Sequence, residues 1–326
     1  MRRRDIITLL GGAATWALSA GARSQIIPVI GYLGPESPGS FASRVKAFRE
    51  GLAETGFTEG RNVAIDFRWA EGQYNRLPAL AADLVNRKVD VIAAPGGAPV
   101  ALAAKSATTT IPIVFEMGGD PIVLGIVDSL SRPGGNLTGI SSLSVEVSGK
   151  RLEFMHDALP AATVFAVVAN PTSPTAPLQL RNLHTAAEKL GTQLHVLYAS
   201  TEQEFDNAFI ALSQLRVRGL VFTSDPYFAN RSQQLAALAV RHAVPAITQS
   251  RDFPMAGGLM SYGGDFTQSH RQAGIYAGRV LNGEKPSQLP VQRVTKVEFF
   301  LNLKAAATLG IVLPASLISS ADEVIE

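Results

Sequence analysis

The strongest constraint on the fold is a strand–helix alternation that the chain runs through twice, with turns at equivalent places in each half. Ile26 to Leu33 reads as a buried strand ending at Gly34-Pro35-Glu36-Ser37. Phe41, Val45, Phe48 and Leu52 follow at helical spacing, with Arg44, Lys46, Arg49 and Glu50 on other faces, until Gly56 closes the helix. Val63 to Trp69 alternates as a strand, and Leu77, Leu80, Ala81, Leu84 and Val85 mark the buried side of a second helix. The apolar run Val89 to Ala94 stops at Pro95-Gly96-Gly97 and restarts at Ala98 as an alanine-rich helix. Pro99 suits its first turn, where an amide would have no partner anyway. Ile111 to Glu116 is a fourth strand.

After Pro160 the order begins again. Ala162 to Val168 is a strand ending at Asn170-Pro171-Thr172-Ser173, and a helix through Leu183 and Ala187 is closed by Gly191. Gln193 to Tyr198 is the next strand, and Thr201 with Glu204 forms a capping box. Gly219 to Thr223 ends at Ser224-Asp225-Pro226-Tyr227, and Val244 to Thr248 ends at Gln249-Ser250-Arg251-Asp252. The pattern predicts an α/β fold of two similar doubly wound lobes, each a parallel sheet with helices on both faces. Asn136 to Leu143 and Gly257 to Gly264 read as short strands at crossings between lobes. A helix from Gln268 to Leu281 follows, and a strand at Val297 to Leu303 with a helix at Ala305 to Leu309 is expected to close the chain. The expected division is 26–141 plus 265–290 for the first lobe and 142–264 plus 291–326 for the second. Three connections form a multi-strand hinge about which two rigid lobes can bend.

The N-terminus reads as an address. Arg2-Arg3-Arg4-Asp5-Ile6-Ile7, a mild apolar middle and Ala20-Gly21-Ala22 describe an export signal of twin-arginine type over residues 1–24, cleaved near Ala22 or Ser24. A periplasmic protein is expected. Without that segment, basic and acidic residues balance, so no charge surplus argues for nucleic acid or an anionic membrane. The absence of cysteine excludes disulfides, thiolate metal sites and cysteine nucleophiles.

Ligands of open parallel sheets bind beyond the carboxyl ends of the strands. That rule selects Gly34, Pro35, Gly96, Gly97, Ala98, Glu116, Gly118 and Asp120 in the first half. In the second it selects Asn170, Ser173, Ser224, Asp225, Tyr227 and Gln249, with Ser142 and Tyr262 completing the set near the crossings. Glu116 and Asp225 are candidates for a ligand ammonium, and the N–H groups after the glycine turn for its carboxylate. Asp120 and Asp225, each before a proline, also fit plain helix caps. For Glu116 a salt bridge to a lysine or arginine is the alternative. Trp69, Phe115, Tyr227 and Tyr262 stand at or near strand ends, where an aromatic either stacks on a ligand or belongs to the core. The five histidines fall on helices or a strand rather than at strand ends, and none makes a metal-ligand spacing. No G-x-S-x-G elbow, G-x-G-x-x-G or phosphate loop is present, so neither an enzyme nor a cofactor is expected.

Several stretches together resemble a known family. They are Leu9-Leu10-Gly11-Gly12 in the twin-arginine start, Phe48-Arg49-Glu50-Gly51-Leu52, Arg68-Trp69-Ala70-Glu71-Gly72 and Asp120-Pro121. Arg132-Pro133-Gly134-Gly135-Asn136-Leu137-Thr138-Gly139, Ala256 to Gly263 and the ending Ala321-Asp322-Glu323-Val324-Ile325-Glu326 complete them. The chain resembles the substrate-binding proteins of ABC-type uptake systems, in the family with tryptophan- and tyrosine-binding members. The resemblance covers almost the whole length and implies a type I periplasmic-binding fold that closes on a small-molecule ligand. It also implies an ABC permease in the inner membrane as partner. It does not fix the ligand, because the cleft loops vary most between members. The expectation is therefore a monomeric binder of a small carboxylate-bearing solute, an amino acid or aromatic acid. A ligand-sensing subunit for a membrane receptor is the alternative, and a periplasmic enzyme a more distant one.

Overall fold

A computed structural model describes residues 27–326, so the export-signal reading lies outside the described residues. The chain begins with β1 (Val29–Gly34), α1 (Ala42–Ala53), β2 (Ala64–Trp69), α2 (Leu77–Asn86), β3 (Val91–Pro95), α3 (Ala98–Ala107), β4 (Ile113–Met117) and β5 (Leu137–Ser142). Every residue of β3, β4 and β5 is buried, as interior strands covered on both faces require, whereas the edge strand β2 is only partly buried.

The chain then crosses to the second lobe. There it builds α4 (Ser148–Ala158), β6 (Val164–Ala169), α5 (Ala176–Leu190), β7 (Gln193–Tyr198), α6 (Glu202–Gln214) and β8 (Gly219–Phe222). The short helix α7 (Pro226–Ala229), then α8 (Ser232–Arg241), β9 (Ala246–Thr248), α9 (Asp252–Met255) and β10 (Met260–Gly264) complete that pass. It returns to the first lobe for α10 (Phe266–Leu281) and β11 (Gln292–Val294), and ends in the second with β12 (Val297–Asn302), α11 (Leu303–Thr308), α12 (Ala315–Ser319) and β13 (Glu323–Ile325).

Two sheets result, ordered β11-β5-β4-β3-β1-β2 and β13-β12-β10-β9-β8-β6-β7. Apolar clusters fill both faces of each. Four expectations need correcting. The segments read as crossings, Asn136 to Leu143 and Gly257 to Gly264, supply β5 and β10, which are interior strands. The second sheet is not wholly parallel, because β12 runs antiparallel to β10. Gln292–Val294, assigned to the second lobe, pairs with Ile140–Ser142 in the first sheet. The chain continues past Leu309 into α12 and β13, and β13 edges the second sheet beside β12.

One packing contact positions the site. Helices α1 and α10, more than 200 residues apart in sequence, lie backbone to backbone. A Cβ on Gly51 would stand 1.9 Å from the Arg271 carbonyl oxygen, and one on Gly274 2.0 Å from that of Phe48. Only glycine permits that approach.

Candidate functional site

The site is built from the carboxyl ends of strands in both sheets. In the first lobe, β3 ends at Pro95 and Gly97 takes φ +84°, a left-handed conformation that opens α3. The Gly97 amide donates to the Glu116 carbonyl oxygen at 2.9 Å, tying the turn to β4. Pro99 stands in the first turn of α3, and the other amides there have no helical partner above them. Gly96, Gly97, Ala98 and Pro99 all line the cavity between the lobes. A Cβ on Gly97 would lie 3.1 Å from Pro226 Cγ of the second lobe.

The opposite wall is braced. Asp225, 1% exposed, accepts through Oδ1 from the Tyr74 hydroxyl (2.8 Å), the Tyr227 amide (2.9 Å) and Asn170 Nδ2 (3.2 Å). Its Oδ2 is buried without a partner. Burial pushes its carboxyl pKa up, and hydrogen bonding from Tyr74, Ser173, Asn170 and the Tyr227 amide holds it back. Asp225 therefore caps α7 through Oδ1 and is one of the residues that line the cavity. Ser224 is fixed beside it: Gln179 Nε2 donates to its carbonyl at 2.9 Å, and its own Oγ donates to the Ser144 carbonyl at 2.6 Å. Gln249 Nε2 donates to the Asp225 carbonyl at 3.1 Å.

The first lobe brings charges with little bracing. Glu116 is 3% exposed, makes no side-chain hydrogen bond or ion pair among the described residues, and has a buried, unpartnered Oε1. Burial pushes its carboxyl up to about 7 against the pull of Arg44. Among the described residues Arg44, 7% exposed, has no carboxylate within ion-pair distance and donates one bond, at 3.3 Å to Asn230 Oδ1. Its guanidinium lies 4.7 Å from the Phe41 ring centre and 5.1 Å from that of Phe266, which shield it from water. His270 sits between the Pro95 carbonyl (3.0 Å) and that of Phe266 (2.8 Å). Burial, reinforced by Arg44, lowers its pKa to about 3, so its ring is neutral near pH 7. A neutral ring has one N–H to give: on Nε2 it ties α10 to the Pro95 carbonyl at the glycine turn, and on Nδ1 it bonds back within the helix.

The lobes are shut. Besides Tyr74–Asp225 and Arg44–Asn230, Arg231 of the second lobe pairs with Glu36 of the first at 3.0 Å. Between them lies a cavity of about 40 Å³.

Of the residues selected from sequence, Gly96, Gly97, Ala98, Glu116, Gly118, Ser173, Ser224, Asp225 and Gln249 line this cavity. The others do not. Gly34 packs under the Trp69 ring and Pro35 against Gly96. Asp120 caps the following turn through the Ile122 amide at 2.8 Å. Ser142 lies within hydrogen-bond distance of Ser144 Oγ, and Asn170 and Tyr227 brace Asp225 from behind. Tyr262 packs against Phe154 and Phe299. Trp69 joins Tyr32, Phe41 and Phe67, and Phe115 is core. The alternative of a salt bridge for Glu116 is not realised. Sequence reasoning missed Arg44, assigned to an outer face of its helix, and His270, set aside for lying on a helix. It also missed Phe41 and Phe266. Among the described residues no group of acids and histidines could hold a metal, and no helix is long and apolar enough to cross a membrane.

Comparison with known proteins fits this geometry. Residues 35–325 match the family described as ABC transporter substrate binding protein. A tyrosine-binding protein of Clostridioides difficile (strain R20291) is 29% identical over 258 residues, 79% of this chain and 73% of that protein. The structure of an ABC domain in complex with L-Trp from Streptococcus pneumonia is 25% identical, with a TM-score of 0.82 over 91% of this chain and 99% of that one. The ligand-free, open structure of a substrate binding protein with adhesive properties from Clostridium difficile is also 25% identical, over 92% and 99%. Its TM-score is only 0.63. At equal identity, the chain superposes better on the ligand-bound neighbour than on the open, ligand-free one. The fold is that of type I periplasmic binding proteins, and these matches are to binding proteins rather than enzymes.

Proposed function

The chain belongs to the ABC transporter substrate binding protein family, and from that premise we propose that it captures a small carboxylate-bearing solute, an amino acid or aromatic acid, for an ABC permease. The observation that carries the reading is the pairing of chemistries across one cavity. Asp225 offers a buried, unpartnered carboxylate oxygen on the second lobe. On the first, the unpaired amides at the start of α3 and the Arg44 guanidinium favour an anion. A zwitterion satisfies both walls at once, and contacts from both lobes favour the shut state that a permease reads. Residues 1–24 would direct such a protein to the periplasm, beside an inner-membrane permease, where it would act as a monomer.

Thermal-shift screening against amino acids and aromatic acids is the test, with native mass spectrometry of freshly purified protein to identify any ligand carried through purification. A ligand present at 100 times its dissociation constant stabilises the folded protein by about 2.7 kcal/mol, which a melting curve resolves. Folded protein with no shift across a broad panel of small acids would overturn the reading.

A further inference from the structure

Glu116 has no task in the cleft as described so far. A zwitterionic ligand has one ammonium, which the braced Asp225 takes, and one carboxylate, which Arg44 and the start of α3 take. Yet a second carboxyl lines the same cavity, 3% exposed, with no hydrogen bond and no cation within ion-pair distance among the described residues. The two carboxyls stand on different lobes, Glu116 at the end of β4 and Asp225 after β8, and Arg44 draws Glu116 towards its charged form. Burying a carboxyl without a partner is unfavourable by several kcal/mol in general, and such a group is retained where something else completes it.

We propose that Glu116 reads the side chain of the ligand, and that the cleft selects amino acids carrying a second cationic group, such as an amine or guanidinium. The inference rests on the reading of the cleft as an amino-acid site and goes beyond it by naming the ligand class. Charge supports it. Arg44 offsets one carboxylate of the wall, so a second ligand cation favours ionisation of Glu116, whereas an aromatic side chain favours its protonated form. The carboxyl is held near pH 7 in the empty cleft, so a cationic group arriving beside it expels a proton, and binding tightens as pH rises through 7.

Isothermal titration of the purified protein and its Glu116→Gln variant with L-lysine, L-arginine, L-tyrosine and L-tryptophan tests this. The expected result is wild-type preference for a basic amino acid by at least about tenfold, lost by roughly 10- to 100-fold in the variant, as for other charge-assisted bonds. Binding of the neutral amino acids should change less than about threefold, within the additive background of an uninvolved site. Binding enthalpy of the basic ligand should depend on buffer ionisation near pH 7, reporting the released proton. The ligand-free variant should melt no lower than wild type, because an unpaired buried carboxyl is replaced by a neutral group. A lower melting temperature would mark Glu116 as structural and overturn the proposal. Tight binding of tyrosine or tryptophan alone, or a ligand profile unchanged in the variant, would overturn it and leave the amino-acid site standing. Binding of no amino acid at all would overturn both.

Discussion

The two walls of the cleft occupy equivalent places in their sheets but are made differently. At the end of β3 the first lobe presents Pro95-Gly96-Gly97, almost pure backbone, with Glu116 and Arg44 beside it and hardly bonded. At the end of β8 the second lobe presents Ser224-Asp225-Pro226, with Asp225 fixed by three donors and Ser224 clamped by Gln179. One wall is pre-organised. The other holds charges whose partners must come from a ligand. Pre-organisation lowers the ordering entropy of binding, and unsatisfied charge supplies the incentive to bind and the discrimination between ligands.

The largest test of this contrast is Gly97→Asp. It forces a side chain into φ +84° and against Pro226, and sets a negative charge at the start of α3. Affinity should fall by more than about 100-fold by calorimetry, the size of a lost charge-assisted anion contact. Binding that survives the change would remove the turn from the site. Asp225→Asn keeps the shape of the braced wall and removes its charge, and should weaken binding by roughly 10- to 100-fold with little loss of fold. An unchanged Kd would leave Asp225 as a helix cap and nothing more.

Tyr74→Phe removes a first-lobe hydroxyl that reaches across to Asp225. A hydrogen bond to a carboxylate, about 1.5 kcal/mol, predicts roughly tenfold weaker binding. If the effect equals that of Asp225→Asn, positioning rather than charge dominates the second wall.

Acid–base behaviour should expose the first lobe. Glu36 and Glu116 are pushed from 4.5 to about 7, in both cases chiefly by burial. The stability they contribute is present below about pH 4.5 and is lost as pH rises through 7. His270, lowered from 6.5 to about 3, acts the other way: its contribution is present above 6.5 and is lost as pH falls towards 3. Ligand-free melting curves of Glu116→Gln should therefore decline less between pH 5 and 7 than those of wild type. Parallel curves would mean that Glu116 is solvated. The smallest effect is expected outside the cleft. Asp120→Ala removes a cap worth about 1 kcal/mol and should lower the melting temperature while leaving affinity unchanged.

Much of this was legible in the residues. Alternating apolar runs and glycine or proline stops determined the strands, the helices and the two-lobed plan, because those signals are local and repeat. The rule that ligands lie beyond strand ends led to Gly97, Glu116, Ser224 and Asp225, since each follows a recognisable strand. The same rule overreached at Tyr262, Ser142 and Asp120, whose side chains turn to neighbouring protein groups, a choice that no spacing encodes.

Only the tertiary structure decided the remainder. Arg44 stands three residues after Phe41 and four before Phe48, on the buried stripe of α1, but within that helix alone its charge belongs in water. It is buried because α10, from the far end of the chain, packs on α1 through Gly51 and Gly274 and brings Phe266 and His270 to it. The sequence by itself determined which loops could meet a ligand, because periodicity and turn chemistry act over a few residues. The charge those loops face was set by a contact spanning most of the chain, and close packing of distant segments leaves no local pattern to read.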